Sequence, residues 1–365
     1  MPTTKPPKIC YKITRHLEDD AMTELAAQPE DWTEPGAHPV VPGVHRIPLP
    51  LPLSGLRAVN VYVLDDPEGP TLVDSGWAGG TGRETLTTRL RELGLAPADI
   101  SRIVVTHAHH DHYTQALALR LDHPVQVLLG RGEAPSVAAM RSRGEVAAPQ
   151  EGLLRRAGAR ELAVAMGMHQ KAEDAADDAP WGEPDRWLDD GEIVRAGGRD
   201  LEVRATPGHT RGHIVLRDAA LGALFSGDHV LPHITPSIGY ERAPEPAPLR
   251  SYLDSLRLVR DLPDTLQLPA HGPVTPSVHT RVDELLEHHA QRLAAALDQV
   301  RAGADTAYGV ASKLPWTRRQ KRIDELETEH AALAVLEIAA HLDVLVTAGH
   351  LVADETDGVR RYALA

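Results

Sequence analysis

Hydrophobic positions recur along the chain at two spacings, and these spacings predict a mixture of strands and helices. Three short apolar runs, each bounded by polar or turn-forming residues, are typical of buried strands: residues 44–47, 58–64 and 71–73. The sequence Asp-Asp-Pro-Glu-Gly at residues 65–69 predicts a hairpin between the second and third runs. Residues 81–93 instead carry apolar side chains at helical spacing, and Gly94 follows as a C-terminal cap. A helix that connects strands predicts an α/β layer.

Four later apolar runs share a second property. Each is a short strand-like stretch that passes directly into a turn carrying histidine or aspartate: residues 103–105, 201–205, 224–226 and 268–270. The first turn reads Thr-His-Ala-His-His-Asp-His, and the others contain Pro-Gly-His, Gly-Asp and Ala-His-Gly. Because all four segments have the same architecture, we expect their turns to bring these polar side chains to one place.

The first of these turns predicts a metal site. It offers four ligands at the spacing H-x-H-x-D-H: His107, His109, Asp111 and His112. Imidazole and carboxylate groups are the ligands expected for zinc, iron or manganese, and two histidines that alternate on an extended segment point the same way. A cloning tag would be terminal and would lack the preceding strand. His110 falls on the opposite side of this alternation, so we expect a structural or supporting role for it.

The later turns supply further candidate ligands: His209, Asp228 and His271. Asp74 ends the third apolar run, where its carboxylate could support a metal-bound imidazole or could simply begin a turn. Each ligand candidate stands where a short strand is expected to end, which strengthens the case for a single site.

The remaining chain is predicted to be mainly helical. Residues 132–180 have the pattern of a helical insertion, with an apolar face over 152–166 and an acidic loop at 173–178. This insertion could be a lid over the site, or a structural helical pair or oligomer contact. Amphipathic helices are predicted at residues 249–262, 278–301, 306–314 and 331–348, and a hairpin at residues 351–353 and 359–363.

Composition narrows the class of protein. The chain has 365 residues, 42% of them hydrophobic and 25% charged, which suits one large globular domain or a domain with an appendage. No unbroken apolar stretch of 18 residues and no secretory signal is visible, so we expect a cytoplasmic protein without a membrane span. Cys10 is the only cysteine, which excludes an internal disulfide and a thiolate metal cage.

The charge of the chain disfavours general binding to nucleic acid. Its net charge is −14 with histidines neutral, and a uniformly acidic surface repels phosphate backbones. From Pro276 onward, 10 lysines and arginines stand against 14 acidic residues, and only residues 316–322 are locally basic. We therefore expect this C-terminal region to serve in packing or dimerisation rather than in reading nucleic acid.

The ordered set of motifs resembles the metallo-β-lactamase superfamily over about residues 40–275. The resemblance implies an α/β fold, an αββα sandwich at residues 41–275, with an N-terminal arm at 1–40 that includes a weakly helical piece near 20–27. Residues 276–365 then resemble the winged-helix-like C-terminal module of the mitochondrial β-lactamase-like ribonuclease.

The resemblance also implies a binuclear site for two divalent cations, most simply zinc, with iron or manganese as alternatives. Three histidines would hold one cation, an aspartate and two histidines the other, and Asp228 would bridge them: His107, His109 and His209; Asp111, His112 and His271. A bridging hydroxide would then attack a carbonyl or phosphorus, with Asp111 and Asp228 as the catalytic residues. Asp74 would support the ligands from behind.

Four further side chains are candidates for substrate contact or oxyanion stabilisation, with a purely structural role as the alternative: His213, His229, His233 and Tyr240. Histidines on the outer faces of later helices, such as His279, His288 and His289, are expected to have no chemical role.

The same set of motifs reduces the number of reactions that we consider. Zinc-thiolate β-lactamases place a cysteine in the second metal site, where this chain has Asp228 instead, and the oxygen-reducing di-iron relatives usually have glutamate where His109 stands. Sulfur dioxygenases keep a similar motif, and glyoxalase II-like enzymes share the ligand set, but a glutathione-binding pattern is not recognisable here. We predict a hydrolase of a small acyl substrate: a thioester, lactone or other ester. The alternatives are a metal-dependent endoribonuclease or phosphodiesterase, favoured by residues 316–322, and a non-catalytic binding module, which would have lost a ligand.

Overall fold

Two mixed β-sheets form the centre of the protein. The computed structural model describes residues 25–53, 55–143, 145 and 148–365. The first sheet has seven strands in chain order: β1 (His38–Val41), β2 (Val44–Pro50), β3 (Ala58–Leu64), β4 (Thr71–Val73), β5 (Arg102–Val105), β6 (Gln126–Gly130) and β7 (Arg186–Leu188). The second has five, in the spatial order β12-β11-β10-β9-β8: β8 (Ile193–Ala196), β9 (Arg199–Ala205), β10 (Ile214–Asp218), β11 (Ala223–Gly227) and β12 (Leu266–Pro269).

Helices and a terminal hairpin surround these sheets in the described residues. They are α1 (Gly80–Glu92), α2 (Gln115–Asp122), α3 (Ala134–Arg141), α4 (Pro149–Arg156), α5 (Arg160–Ala176), α6 (Pro248–Asp261), α7 (Val278–Arg301), α8 (Ala307–Ala311), α9 (Thr328–Thr347), β13 (Leu351–Thr356) and β14 (Val359–Leu364). The hairpin predicted at the 65–69 turn is confirmed, because β3 and β4 pair antiparallel with Tyr62 opposite Val73.

Alternating side chains along the strands build four layers. In β5, Val104 packs into the core between the sheets, whereas Ile103 and Val105 pack into the core beneath α1 and α2. On the other side, α6 and α7 pack on the outer face of the second sheet through residues such as Leu256 and Val282. The order helix, sheet, sheet, helix confirms the predicted α/β sandwich.

The insertion differs from its predicted form. The helical pattern at residues 152–166 is two helices, α4 and α5, and Gly158 between them has a φ of 86°, a left-handed conformation that ends the first helix. The acidic loop expected at 173–178 begins as the last turn of α5, because alanine, lysine and glutamate have high helix propensity. Leu154 and Met166 are buried in the same core as Val335 and Ile338 of α9, so the insertion packs on the C-terminal helices. A lid role for it stays a prediction.

The C-terminal region contains the three predicted helices and the predicted hairpin, and its likeness to a winged helix stays a prediction. Among the described residues, α9 is long and apolar enough to cross a membrane by length and composition alone. Sequence analysis predicted no such helix, because Glu337 and Asp343 interrupt the apolar stretch. Half of the apolar window of α9 is buried inside the protein.

The described part of the N-terminal segment lies against the first sheet. Ala26 N–H donates to the carbonyl of Val40 at 2.9 Å, and the buried Arg46 guanidinium donates to the carbonyl of Trp32 at 2.7 Å. Most of the predicted helical piece at 20–27, and also Cys10, lie outside the described residues.

Candidate metal centre

The ends of four strands meet at one edge of the sandwich and bring seven potential ligands together. His107, His109, Asp111 and His112 follow β5, and the other three follow β9, β11 and β12: His209, Asp228 and His271. The backbone joins the two sheets here, since Ile214 N–H donates to the carbonyl of Thr106 at 2.9 Å. All four ligand-bearing turns predicted from sequence therefore lie side by side.

The turn after β5 has an unusual local structure. His109 is extended, with φ −85° and ψ 159°, and a single π-helical turn, His110–Thr114, begins directly after it. Such turns are rare and are frequent at functional sites. Ser75 fixes this one by donating its hydroxyl proton to the carbonyl of His112 at 2.6 Å. The extended residue and the wide turn point histidines on both sides of His110 toward the same centre.

Three imidazole nitrogens form the first group of ligand atoms. His107 Nε2 lies 3.0 Å from His109 Nδ1, and His209 Nε2 lies 3.2 Å from His107 Nε2 and 3.1 Å from His109 Nδ1. A tetrahedral cation with bonds of about 2.0–2.1 Å separates its nitrogen ligands by roughly 3.3 Å. The spacing of this triad therefore fits a divalent cation.

Hydrogen bonds behind these rings orient two of them. His209 Nδ1–H donates to the carbonyl of Ser237 at 2.7 Å, and His109 Nε2–H donates to the carbonyl of Tyr240 at 3.3 Å. A carbonyl can only accept, so in each neutral ring the proton stays on the outer nitrogen and the inner nitrogen keeps its lone pair. The outer bonds thus prepare both rings to bind a cation.

The second group combines a carboxylate with two imidazoles. His271 Nε2 lies 3.3 Å from Asp111 Oδ2, and His112 Nε2 lies 3.6 Å from the same oxygen. His271 Nδ1–H donates to the carbonyl of Ala58 at 2.7 Å. Burial opposes protonation of His112, but the Asp111, Asp74 and Asp228 carboxylates raise its pKa to about 9, so a cation bound here would displace a proton from the inner nitrogen.

Asp228 lies between the two groups. Its Oδ2 is 3.5 Å from His209 Nε2, while its Oδ1 is 3.4 Å from His271 Nε2 and 3.7 Å from His112 Nε2. Each carboxylate oxygen therefore faces one group, which is the arrangement that a bridging ligand requires.

Unpartnered buried atoms test whether these residues fit a metal. His112 Nε2, His271 Nε2 and Asp228 Oδ1 are buried without a hydrogen-bond partner. A buried polar group without a partner costs about 1–3 kcal/mol. All three atoms point to one place, and divalent cations coordinated there would satisfy them together. These residues therefore fit a metal site.

The electrostatics favour positive charge in the second group and neutral rings in the first. Burial lowers the pKa of His109 to about 3, with the neighbouring His209 as a further cause. Burial opposes ionisation of Asp228, but the His271 and His112 rings hold the pKa of its carboxyl well below its ordinary value. The carboxylate is therefore ionised and the first-group rings are neutral at pH 7, as metal binding requires.

Asp74 supports the site from behind. It adopts a φ of 62°, which aspartate tolerates better than most residues. Its Oδ2 accepts from His112 Nδ1–H at 3.0 Å, and its Oδ1 accepts from the Thr106 N–H at 2.8 Å. The carboxylate thereby fixes the tautomer of His112 and joins it to the end of β5.

The sequence as a whole matches a known family over this region. The profile of the Metallo-beta-lactamase superfamily matches residues 54–271, more than half of the chain. The chain belongs to the metallo-β-lactamase superfamily.

Relatives and solved structures agree with this assignment. The chain is 29% identical over 237 residues to the "Beta-lactamase-like protein 2 homolog" of Caenorhabditis elegans, covering 65% of this chain and 63% of that protein. It is also 29% identical over 220 residues to a hydroxyacylglutathione hydrolase of Synechococcus sp. (strain JA-3-3Ab), covering 60% of this chain and 65% of that protein. The matches thus span less than two thirds of the length of these two curated relatives.

Two crystal structures resemble this protein over nearly its whole length. A Beta-lactamase domain protein from Burkholderia ambifaria is 30% identical with a TM-score of 0.75, covering 93% of this chain and 98% of that one. A metallo-beta-lactamase family protein from Thermus thermophilus is 27% identical with a TM-score of 0.73, covering 89% of this chain and 99% of that one. The likeness therefore extends beyond the family region into the C-terminal helices.

The remaining predicted site residues lie in the scaffold of the superfamily fold. His213 is fully buried, where its Nε2 accepts from the Asp228 N–H at 3.1 Å and its Nδ1 lies 2.9 Å from the Thr206 hydroxyl oxygen. His229 is also fully buried, and its ring packs on Tyr252 at a centroid distance of 5.2 Å. Tyr240 reaches the site through its carbonyl, while its ring packs among the C-terminal helices.

His110 does not join the ligands. Its ring stacks on Trp77 at 4.9 Å and meets the edge of Trp181 at 5.0 Å. Its Nε2 lies 3.1 Å from Asp177 Oδ2, directly after α5. It therefore joins the metal-binding turn to the helical insertion, a structural role of the kind expected from its alternation. The carbonyl of His233 accepts from Arg318 Nη2 at 2.8 Å, and, within the residues that the structure describes, its ring makes no contact with the ligand groups.

Sequence reasoning missed Glu133, which is fully buried between two ligand-bearing turns. Its carboxyl accepts from the Thr210 hydroxyl, next to His209. Gly212 permits this approach, because a Cβ there would lie 2.0 Å from Glu133 N. The Gly-Arg-Gly-Glu sequence after β6 was the available signal.

Proposed function

We propose that this protein is a metal-dependent hydrolase of a small acyl substrate: a thioester, lactone or other ester. The observation that carries the proposal is the set of ligand atoms around Asp228, in which two groups of inner nitrogens and carboxylate oxygens face each other across one carboxylate. The similarity to a hydroxyacylglutathione hydrolase favours an acyl substrate.

Two divalent cations, most simply zinc, would supply an acidified water and polarise the substrate carbonyl. The first cation would be held by the three-histidine group, the second by Asp111, His112 and His271, with Asp228 shared. Asp111 would orient the attacking water and accept its proton, since its carboxylate borders both His271 and His112. The Asp74 carboxylate would keep His112 in the tautomer that binds metal.

Burial of the site favours this chemistry. Asp111 is 7% exposed and Asp228 is 5% exposed, so substrate would meet these carboxylates in a largely dry environment. Charge stabilisation is stronger where water is excluded. A small substrate also suits a net charge of −14, because a long polyanion would be repelled.

The test is hydrolysis of a substrate panel by metal-quantified protein. The panel contains acyl-coenzyme A and glutathione thioesters, lactones, aryl esters and single-stranded RNA. We expect turnover of a thioester, lactone or ester that chelation abolishes and added metal restores. Asp228→Ala should remove most of this activity while leaving the fold intact, and Asp200→Ala, at an exposed carboxylate far along β9, is the matched control. Full activity of Asp228→Ala with both cations bound, or cleavage of RNA alone, would contradict the proposal.

A further inference from the structure

A short basic turn contacts the loop that borders the metal centre and has no role in the proposed chemistry. We call residues 317–322, Thr-Arg-Arg-Gln-Lys-Arg, the basic turn. Two main-chain hydrogen bonds between Trp316 and Lys321, at 2.8 and 2.7 Å, close it. Thr317 and Gln320 both adopt left-handed backbone, with φ of 61° and 55°. This conformation is unfavourable for a β-branched threonine, so the surroundings hold the turn in shape.

Packing beneath the turn provides that support. Trp316 is buried, and its Nε1–H donates to the carbonyl of Ala311 at 2.9 Å. The Arg292 guanidinium lies over the Trp316 ring, 4.6 Å from its centroid. The basic turn therefore stands on a fixed base and presents its cations in a defined position.

The turn is attached to the loop that borders the metal centre. Arg318 Nη2 donates to the carbonyl of His233 at 2.8 Å. The neighbouring Pro232 packs against Gly272, where a Cβ would lie 3.1 Å from the proline Cδ, and Gly272 directly follows the ligand His271. The same loop offers the Ser237 carbonyl that orients His209. A substrate that leaves the metal centre along this loop would reach the basic turn.

The cations of the turn lack acidic partners. In the described part of the chain no carboxylate oxygen lies within 4.0 Å of the charged group of Arg318, Arg319 or Lys321, whereas Arg322 pairs with Asp324 at 3.7 Å. Arg319 is exposed and Lys321 is partly exposed. Three cations without an ion pair within four residues form a positive cluster in a protein of net charge −14, and such a cluster suits an anionic ligand.

We propose that the basic turn binds a phosphate group at the far end of the substrate, which makes the substrate a phosphorylated thioester of the coenzyme A type. This inference rests on the proposed function, because it extends the same site. Arginine matches the oxygens of phosphate with two parallel N–H donors. Ile234, next to His233 and 43% exposed, offers apolar surface for the chain between the thioester and the phosphate.

The small number of cations in the basic turn favours a small ligand over a nucleic acid. A long nucleic-acid backbone is bound through many cations, and a protein that makes roughly 6–10 phosphate contacts owes much of its affinity to them. The basic turn offers three unpaired cations, and Asp324, Glu325 and Glu327 follow it immediately in the chain. One or two phosphate groups on a small molecule fit this patch, whereas an RNA strand would meet the acidic residues next to it.

The experiment compares a turn variant with a charge-matched control in the full-length, metal-loaded protein. The turn variant is Arg319→Gln with Lys321→Gln, which keeps the anchoring Arg318. The control is Arg195→Gln with Arg250→Gln, two exposed cations on other elements. Calorimetry measures binding of adenosine 3′,5′-bisphosphate, with and without chelator. Kinetics compare acyl-coenzyme A with the corresponding phosphate-free N-acetylcysteamine thioester.

We expect the turn variant to bind the bisphosphate roughly three- to tenfold more weakly than the control, because each exposed charge pair contributes modestly. Its KM for acyl-coenzyme A should rise by a similar factor, with kcat unchanged and with KM for the phosphate-free thioester unchanged. Turn-dependent binding without turnover of any thioester would support the subsite while refuting the proposed function. Equal binding by both variants, binding that chelation abolishes, or a turn-dependent loss confined to RNA would overturn the subsite.

Discussion

Replacing Asp74 by asparagine removes the negative charge behind the metal centre and tests whether this carboxylate decides which nitrogen of His112 carries the proton. The variant keeps the size of the side chain, and asparagine tolerates the φ of 62° at this position, so the backbone is not perturbed. Asp74 accepts from three donors: the main-chain N–H and the hydroxyl of Thr106, and Nδ1–H of His112. Asparagine has a single accepting oxygen and must turn its amide group toward one of these donors.

The consequence falls on His112. If the side-chain oxygen of the asparagine accepts from the Thr106 N–H, the side-chain NH2 group faces His112 Nδ1. That nitrogen must then become an acceptor. The ring proton moves to Nε2, the atom that lies 3.7 Å from Asp228 Oδ1 and faces the cation position. Loss of such supporting carboxylates weakens metal binding about 10- to 100-fold, which corresponds to about 1.4–2.7 kcal/mol. We expect this loss in the group that contains His112 and little change in the three-histidine group.

Metal affinity is measured by competition with a chromophoric chelator and metal content by mass spectrometry. Cobalt-substituted protein gives an independent readout, because its absorption reports the ligands of each cation. Thr106→Val is the companion variant. It removes one donor to Asp74 and the 3.1 Å contact of that hydroxyl with His107 Nδ1, but it leaves the bond of Asp74 to His112, so any loss of affinity should fall on the three-histidine group. Wild-type affinity for both cations in Asp74→Asn would refute the reasoning.

Three further variants test buried groups that do not themselves hold a cation. One of these groups is His289, which was expected on an outer helix face but is fully buried. Burial lowers the pKa of His289 to about 2 and of His341 to about 4, so below pH 6.5 the unfolded chain takes up protons that the native chain does not, and stability falls as the pH falls toward 4. Between pH 7 and 5, the free energy of unfolding measured with urea should fall by about 3–4 kcal/mol less in the double variant His289→Leu/His341→Leu than in the wild type. An equal fall in both proteins would show that other groups dominate. Burial and the neighbouring Glu241 carboxyl raise the pKa of Glu133 above its ordinary value, so Glu133→Gln, which imitates the protonated carboxyl, should cost less than about 1 kcal/mol. Glu133→Ala leaves the Thr210 hydroxyl without its acceptor and should cost roughly 1–3 kcal/mol and weaken metal binding, and equal costs for the two variants would contradict this account.

Local patterns were sufficient to predict most strands and the side chains that meet at the candidate metal centre. Each ligand stands directly after an apolar run, as His209 stands after β9, and strand ends in a sandwich meet at one edge. Helix α7 was predicted with the same bounds, Val278–Arg301, because its apolar spacing is regular over its whole length. These features depend only on neighbours in sequence.

Features that depend on distant parts of the chain could not be predicted in the same way. The contact of Glu133 with Thr210 joins residues 77 positions apart and needs Gly212 to allow the approach. The packing of α5 on α9 likewise needs the positions of two elements that sequence periodicity cannot relate. Sequence alone left open whether His213 contacts substrate, and only the fold directs its ring to the Asp228 main chain.

The most direct test of the account is a metal titration of chelator-treated protein during hydrolysis of a thioester. If the two ligand groups share Asp228 as proposed, activity should rise with added zinc and level off at two equivalents per chain. His271→Ala should level off at one equivalent with most activity lost. Thioester hydrolysis at the full rate in metal-free protein would contradict the central claim.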